Sequence, residues 1–163
     1  MLAWGLSKNL ENSLKYFLDT KIALHSVTDI DGNLIPVRVG RKEDDNWTLP
    51  CISVYVESKV ASRLEIGTNN RDETHLIIID IYASSEGGEG ERLDLSDWLS
   101  SIINDGWIYY TYTVNVSTPE SPTKADAGWA SIDFLTNTRV NLGQNVSEFD
   151  QHRHRISVNA WIT

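Results

Sequence analysis

Thr74-His75-Leu76-Ile77-Ile78-Ile79-Asp80-Ile81-Tyr82-Ala83 decides the architecture of this chain. On a strand, Ile77, Ile79, Ile81 and Ala83 share one face, and Leu76, Ile78, Asp80 and Tyr82 share the other. A strand apolar on nearly both faces is central, with something covering each side. Two further runs of period 2 precede it. Cys51–Glu57 sets Ile52, Val54 and Val56 against Ser53, Tyr55 and Glu57, and Val60–Ile66 sets Val60, Ser62, Leu64 and Ile66 against Ala61, Arg63 and Glu65.

Toward the N-terminus the period changes. Leu6, Leu10, Leu14, Phe17 and Leu18 form one helical stripe, with Ser7 as the N-cap or an earlier entry into the helix, and Lys8, Glu11 and Lys15 on other faces. A β-hairpin arm is expected next, from Ile22–Ile30 through the Asp31-Gly32 turn to Leu34–Val39. Pro36 makes the second arm an edge. The polar run 41–46 reads as a loop.

Toward the C-terminus, residues 84–90 (Ser-Ser-Glu-Gly-Gly-Glu-Gly) read as a flexible break. A second helix follows, on the stripe Leu95, Trp98, Leu99, Ile102 and Ile103, with Gly106 as its stop. The remainder reads as strands. Ile108 to Val116 alternate, Ala130, Ile132 and Phe134 alternate, and Ile156, Val158, Ala160 and Ile162 share a face. Pro119 and Pro122 mark 115–128 as a long flexible loop, and 136–163 reads as a C-terminal strand extension. The fold class is therefore α+β: one domain over 1–163, a mainly antiparallel sheet flanked by two amphipathic helices, and a hairpin arm.

Composition narrows the function. A chain of 163 residues buries roughly 70% of its unfolded surface and holds a core without metal or disulfide. Lys plus Arg is 14 and Asp plus Glu is 23, a net charge of −9. Such a surface disfavours a nucleic-acid clamp or a polybasic membrane patch. No apolar run approaches the roughly 20 residues that span a bilayer, and no signal peptide is visible. Cys51 is the single cysteine, so no internal disulfide forms, which fits a reducing compartment or assembly inside a cell.

Chemistry-bearing motifs are sparse. The chain has no phosphate-binding glycine loop, no cysteine pair, no His-Glu-x-x-His and no Gly-x-Ser-x-Gly. His152 and His154 share a strand face near Asp150, but zinc needs three or four ligands. The other reading is a polar strand end, flanked by Arg153 and Arg155, at an interface. Asp80 is either a metal-binding acid, with Glu57 and Asp133 as candidate partners, or a carboxylate paired with an arginine or a neighbouring subunit. Cys51, between Pro50 and Ile52, reads as a buried, inert thiol. Of six tryptophans, Trp98 belongs to a helix stripe. Trp4, Trp47, Trp107, Trp129 and Trp161 sit near segment ends, where they close the core or meet partners.

The order of these segments resembles the tail terminator (tail-completion) family of long-tailed bacteriophages. The features that carry it are the helix with Leu10, Leu14 and Leu18; the Ile30-Asp31-Gly32 turn; the run Trp47–Val56, a strand entered through Pro50; Arg63–Ile66; the strand Glu73–Tyr82; the helix Leu93–Ile103; and Gly128–Phe134. The segment Thr136–Thr163 goes beyond the compact form of the family, which leaves the choice between neighbouring rings of the neck open.

The resemblance implies a homohexameric ring in the virion, assembled in the host cytoplasm. The ring caps the tail tube protein, stops elongation and offers its other face to the head–tail connector protein, and in a sheathed tail it also contacts the tail sheath. Genomic DNA passes through the lumen without specific binding, and an acidic lumen suits such a conduit. No catalysis, cofactor, metal or membrane is implied. Positional expectations for subunit or partner interfaces are Trp4, Trp47, Trp129, Trp161, Tyr82, His152, His154, Arg153 and Arg155. Those for a lumen or partner loop are Glu86, Glu89 and Glu91. The competing readings are another head–tail connector or neck ring, a metal-dependent hydrolase built on Asp80, and a ligand- or glycan-binding domain built on exposed aromatics.

Overall fold

A computed structural model describes residues 2–41, 47–63, 71–84, 88–140 and 153–163. The elements are β1 (Leu2–Ala3), α1 (Leu6–His25), β2 (Val37–Val39), β3 (Cys51–Arg63), β4 (Arg71–Tyr82), α2 (Gly88–Ile103), β5 (Trp107–Asn115), β6 (Thr118–Arg139) and β7 (Arg153–Ile162). The strands form one sheet in the order β1-β5-β6-β7-β4-β3-β2. The chain is thus α+β. Every pairing in this sheet is antiparallel except that of β2 with β3.

The isoleucine strand lies inside the sheet. Ile77, Ile79 and Ile81 of β4 stand in register with Val56, Val54 and Ile52 of β3, and with Val158, Ile156 and His154 of β7. Both helices pack on this face, joining the same core cluster. Leu10, Leu14, Leu18 and Ile22 of α1 recur every fourth residue and are buried, as are Leu95, Leu99 and Ile103 of α2. Each such side chain contributes about 1.5–3 kcal/mol of burial free energy.

Helix α1 lies against β5 and also against β3 and β2, which stand toward opposite ends of the strand order. The sheet therefore curls round it. Polar side chains of α1 fix both contacts. Ser13 and Asn9 bond the backbone of β5. Glu11 Oε1 accepts from Val56 N–H at 2.8 Å, where a bulge in β3 interrupts the pairing with β4.

Several expectations are corrected. No hairpin arm forms: Ile22–His25 continues α1, because Ile22 extends the Leu10-Leu14-Leu18 stripe. The Asp31-Gly32 turn does form, with Gly32 at φ 84°, but it closes only the single bridge Thr28–Leu34. β2 is an edge, as Pro36 requires, though parallel to its neighbour. Of the two expected helix starts, the earlier one holds: Ser7 lies within α1, whose N-cap is Gly5 with no side-chain cap bond. The two strands expected over 51–66 are one, β3, through Arg63; 64–66 lie outside the described residues.

The expected loop 115–128 is instead the hairpin of β5 and β6, in which Pro119 and Pro122 fall where the register with β5 is interrupted. The expected C-terminal extension is no appendage, since β7 stands at the middle of the sheet between β6 and β4. The break at 84–90 is shorter than expected, because Gly88–Gly90 is already helical.

Candidate functional site

On the sheet face away from the helices, Asp80 is almost fully buried and held by two arginines of β7. Arg155 grips it in bidentate fashion, Nε to Oδ1 at 2.8 Å and Nη2 to Oδ2 at 3.0 Å. Arg153 Nη2 donates to Oδ2 at 2.6 Å. The Tyr55 hydroxyl stands 3.4 Å from Oδ2, and burial, then the Asp80 charge, pushes its pKa up. The hydrogen bond to Asp80 holds the Arg155 guanidinium above its already high range. Two cations on one carboxylate leave the cluster with a net positive charge.

The acids weighed as partners of Asp80 go elsewhere. Glu57 pairs with Arg41, and Asp133 stands in register with Asn159. Among the described residues, no three His, Cys, Asp or Glu side chains gather as metal ligands. Cys51 is fully buried.

His154 lies on the opposite face, under α2. Arg92 Nη1 approaches its Nδ1 at 3.4 Å, and its Nε2 contacts Asn137 Oδ1. Asn137 Nδ2 donates to Ser100 Oγ at 2.7 Å, which donates to the Ser96 carbonyl at 2.8 Å. This chain selects a neutral imidazole that accepts at Nδ1 and donates from Nε2. Burial, reinforced by Arg92, lowers its pKa. Glu89 stands 3.7 Å from Arg92 and 2.5 Å from Arg139, tying α2 to β6.

The positional expectations separate into groups. Tyr82 and His154 are buried, so neither offers a free surface. Arg153 and Arg155 are partly exposed but committed to Asp80. Glu89 and Glu91 belong to α2, where Glu91 accepts from the Ser84 N–H and hydroxyl, so they are not parts of a loop. His152 and Glu86 lie outside the described residues. Trp4 stacks on Tyr112 at 5.1 Å and carries the Lys8 ammonium at 3.8 Å. Trp47 lies 5.7 Å from the Arg38 guanidinium, and Trp161 is half-buried. Trp107 is wholly core.

Trp129 is 40% exposed. It lines an apolar groove of about 200 Å³ with Tyr16, Phe17, Ile108 and Tyr110. Lys124 closes over Tyr16 at 3.2 Å and draws that phenol's pKa down.

Among the described residues, the sheet is also open at a place that the sequence did not disclose. β6 changes partner midway: Thr118–Ala130 pairs with β5, and Ala130–Arg139 pairs with β7 on its other side. Among the described residues, no strand pairs with the β5-facing edge of 131–139. Phe134 (38% exposed) and Leu135 (50%) stand on this half, where the register with β7 shifts. The other half, 118–128, carries Pro119 and Pro122, which have no N–H to give a neighbouring strand.

No protein-family model matches the chain, and no curated protein matches it significantly.

Proposed function

We propose that this chain is a structural ring subunit of a phage tail, of the tail terminator kind. In this reading copies join edge to edge, cap the tail tube and present the opposite face to the head connector. The mainly antiparallel sheet with helices on its inner face is the scaffold.

The observation that carries the reading is the open edge of β6 at 131–139. An unpaired edge with its donors intact invites another strand, and natural monomers blunt such edges with proline, charge or cover. Here the half with Phe134 and Leu135 carries no proline, while Asp133, Arg139, the register shift at Phe134/Thr136 and the α2 contacts of Asn137 and Arg139 limit its approach only in part. A contact that joins this edge to a different surface of the next copy is heterologous, the kind that closes rings. The Asp80 cluster favours the same reading, since its carboxylate is consumed by two arginines.

The test is the native mass of the purified chain, alone and mixed with tail-tube protein. A species of about six copies in either sample supports the proposal. A monomer in both samples contradicts it.

A further inference from the structure

A second surface lies away from the β6 edge. The connection after α1 and the first turns of α2 enclose an open groove of about 660 Å³. Its floor is Val27, Leu95 and Trp98, and Ile30, 63% exposed, projects from one rim. Asp29, Glu91 and Asp94 line it, and among the described residues no lysine or arginine does. The one basic side chain among the described lining residues is His25, edge-on to Trp98 at 6.4 Å.

The acidic rim is built into the fold. Asp29 Oδ1 accepts from the N–H groups of Asn33 at 2.8 Å and Asp31 at 2.9 Å, the first above all, which keeps its carboxylate ionised below the usual range. Glu91 Oε1 is held by Ser84 N–H at 2.7 Å. These bonds fix two negative charges beside an apolar floor. An anionic occupant such as a lipid headgroup or nucleic acid is repelled, and a purely polar cation leaves Trp98 and Ile30 in water.

We infer that this groove docks a cationic amphipathic segment of a partner protein, with an apolar side chain seated on Trp98 and Ile30 and its lysines or arginines facing Asp29 and Asp94. The helix-in-groove mode supplies both elements, apolar anchors for affinity and charge for orientation. The inference is independent of whether the chain forms rings.

A synthetic amphipathic helix of leucine and lysine, fluorescently labelled, is titrated with the full chain. The expected result is saturable binding that perturbs the Trp98 indole signal. Binding weakens at least about tenfold, or about 1.4 kcal/mol, with Asp94→Lys and with Ile30→Ser. It is retained with Glu120→Lys, the same charge change on the distant β5–β6 hairpin. A leucine–glutamate peptide and a serine–lysine peptide bind at least tenfold more weakly. Absence of saturable binding overturns the inference. So does equal weakening by Glu120→Lys, which would mean attraction by net charge alone, or indifference to Ile30→Ser, since that side chain is exposed and its loss leaves the core intact.

Discussion

Ser13 Oγ and the backbone of Tyr110 exchange two hydrogen bonds: the hydroxyl accepts from the Tyr110 N–H at 2.8 Å and donates to the Tyr110 carbonyl at 3.2 Å. One turn earlier, Asn9 Oδ1 accepts from Tyr112 N–H at 3.2 Å. Two helix side chains thereby take the place of a neighbouring strand along the edge of β5, where β1 reaches only Thr113 and Val114. The edge is covered, and the helix is held in the curl of the sheet.

Ser13→Ala leaves both Tyr110 groups without their partner inside the fold. The expected loss is about 1–3 kcal/mol, read as a lower urea midpoint. Ser13→Thr, which keeps the hydroxyl, is expected to lose less. Equal midpoints for wild type and Ser13→Ala would remove the edge-covering role.

Asp80→Ala strips the carboxylate from two arginines. Breaking one side of a buried pair costs roughly 3–5 kcal/mol. Arg155 is one-third exposed, so the low end of that range is expected. Replacing Asp80 with Leu together with Arg155→Met is expected to recover part of the loss in the same denaturation assay. A double variant as unstable as the single would contradict the pairing.

Gly106 ends α2 at φ 82°, and a Cβ there would stand 2.0 Å from the Ala130 carbonyl oxygen. The left-handed conformation alone costs a residue with a Cβ about 1–2 kcal/mol. Gly106→Ala is therefore expected to lose more than that in a chemical melt, because the carbonyl belongs to β6 and the sheet must shift. Gly90→Ala, within α2 and with nothing standing within 4 Å, is the comparison and is expected to gain up to about 1 kcal/mol.

Acid destabilises through His154 and His75. Both are held below their ordinary value of 6.5, His75 by burial and His154 by burial and then Arg92. Asp97 and Glu73 oppose the two shifts only in part. As pH falls through 6.5 the unfolded chain takes up protons that the folded chain resists, so the unfolded state binds more protons and stability falls. The contribution is fully present above 6.5 and declines below it. Urea midpoints at pH 7 and pH 5 are expected to differ less for His154→Gln than for wild type. An identical difference would mean that the imidazole under α2 does not titrate with unfolding.

Periodicity made the inner layer legible. Ile77, Ile79 and Ile81, the α1 stripe and Leu95–Ile103 all lie where their spacing puts them, because a buried face constrains every second or every third and fourth residue. The errors fell where two signals competed. Ile22 continued a helical stripe, yet the Asp31-Gly32 turn drew the expected strand back across it. Pro119 and Pro122 suggested a loop, although prolines are tolerated at bulges, and here they fall where the register with β5 is interrupted. The partner switch of β6 leaves no sequence signature, since it depends on where β7 returns to the sheet. The edge-covering pair did leave a trace, as Asn9 and Ser13 lie four apart, each one residue before a core leucine.

The central claim is that the 131–139 edge of β6 joins copies of this chain. It is tested most directly by the native mass of wild type and Leu135→Lys, each alone and with tail-tube protein. Leu135 is half-exposed, so the lysine leaves the fold intact and sets a charge on the edge. The account predicts a species of about six copies for wild type and a monomer for Leu135→Lys under the same conditions. Rings of equal mass from both proteins would contradict the edge, and monomers from wild type even with the tube protein would contradict the ring itself.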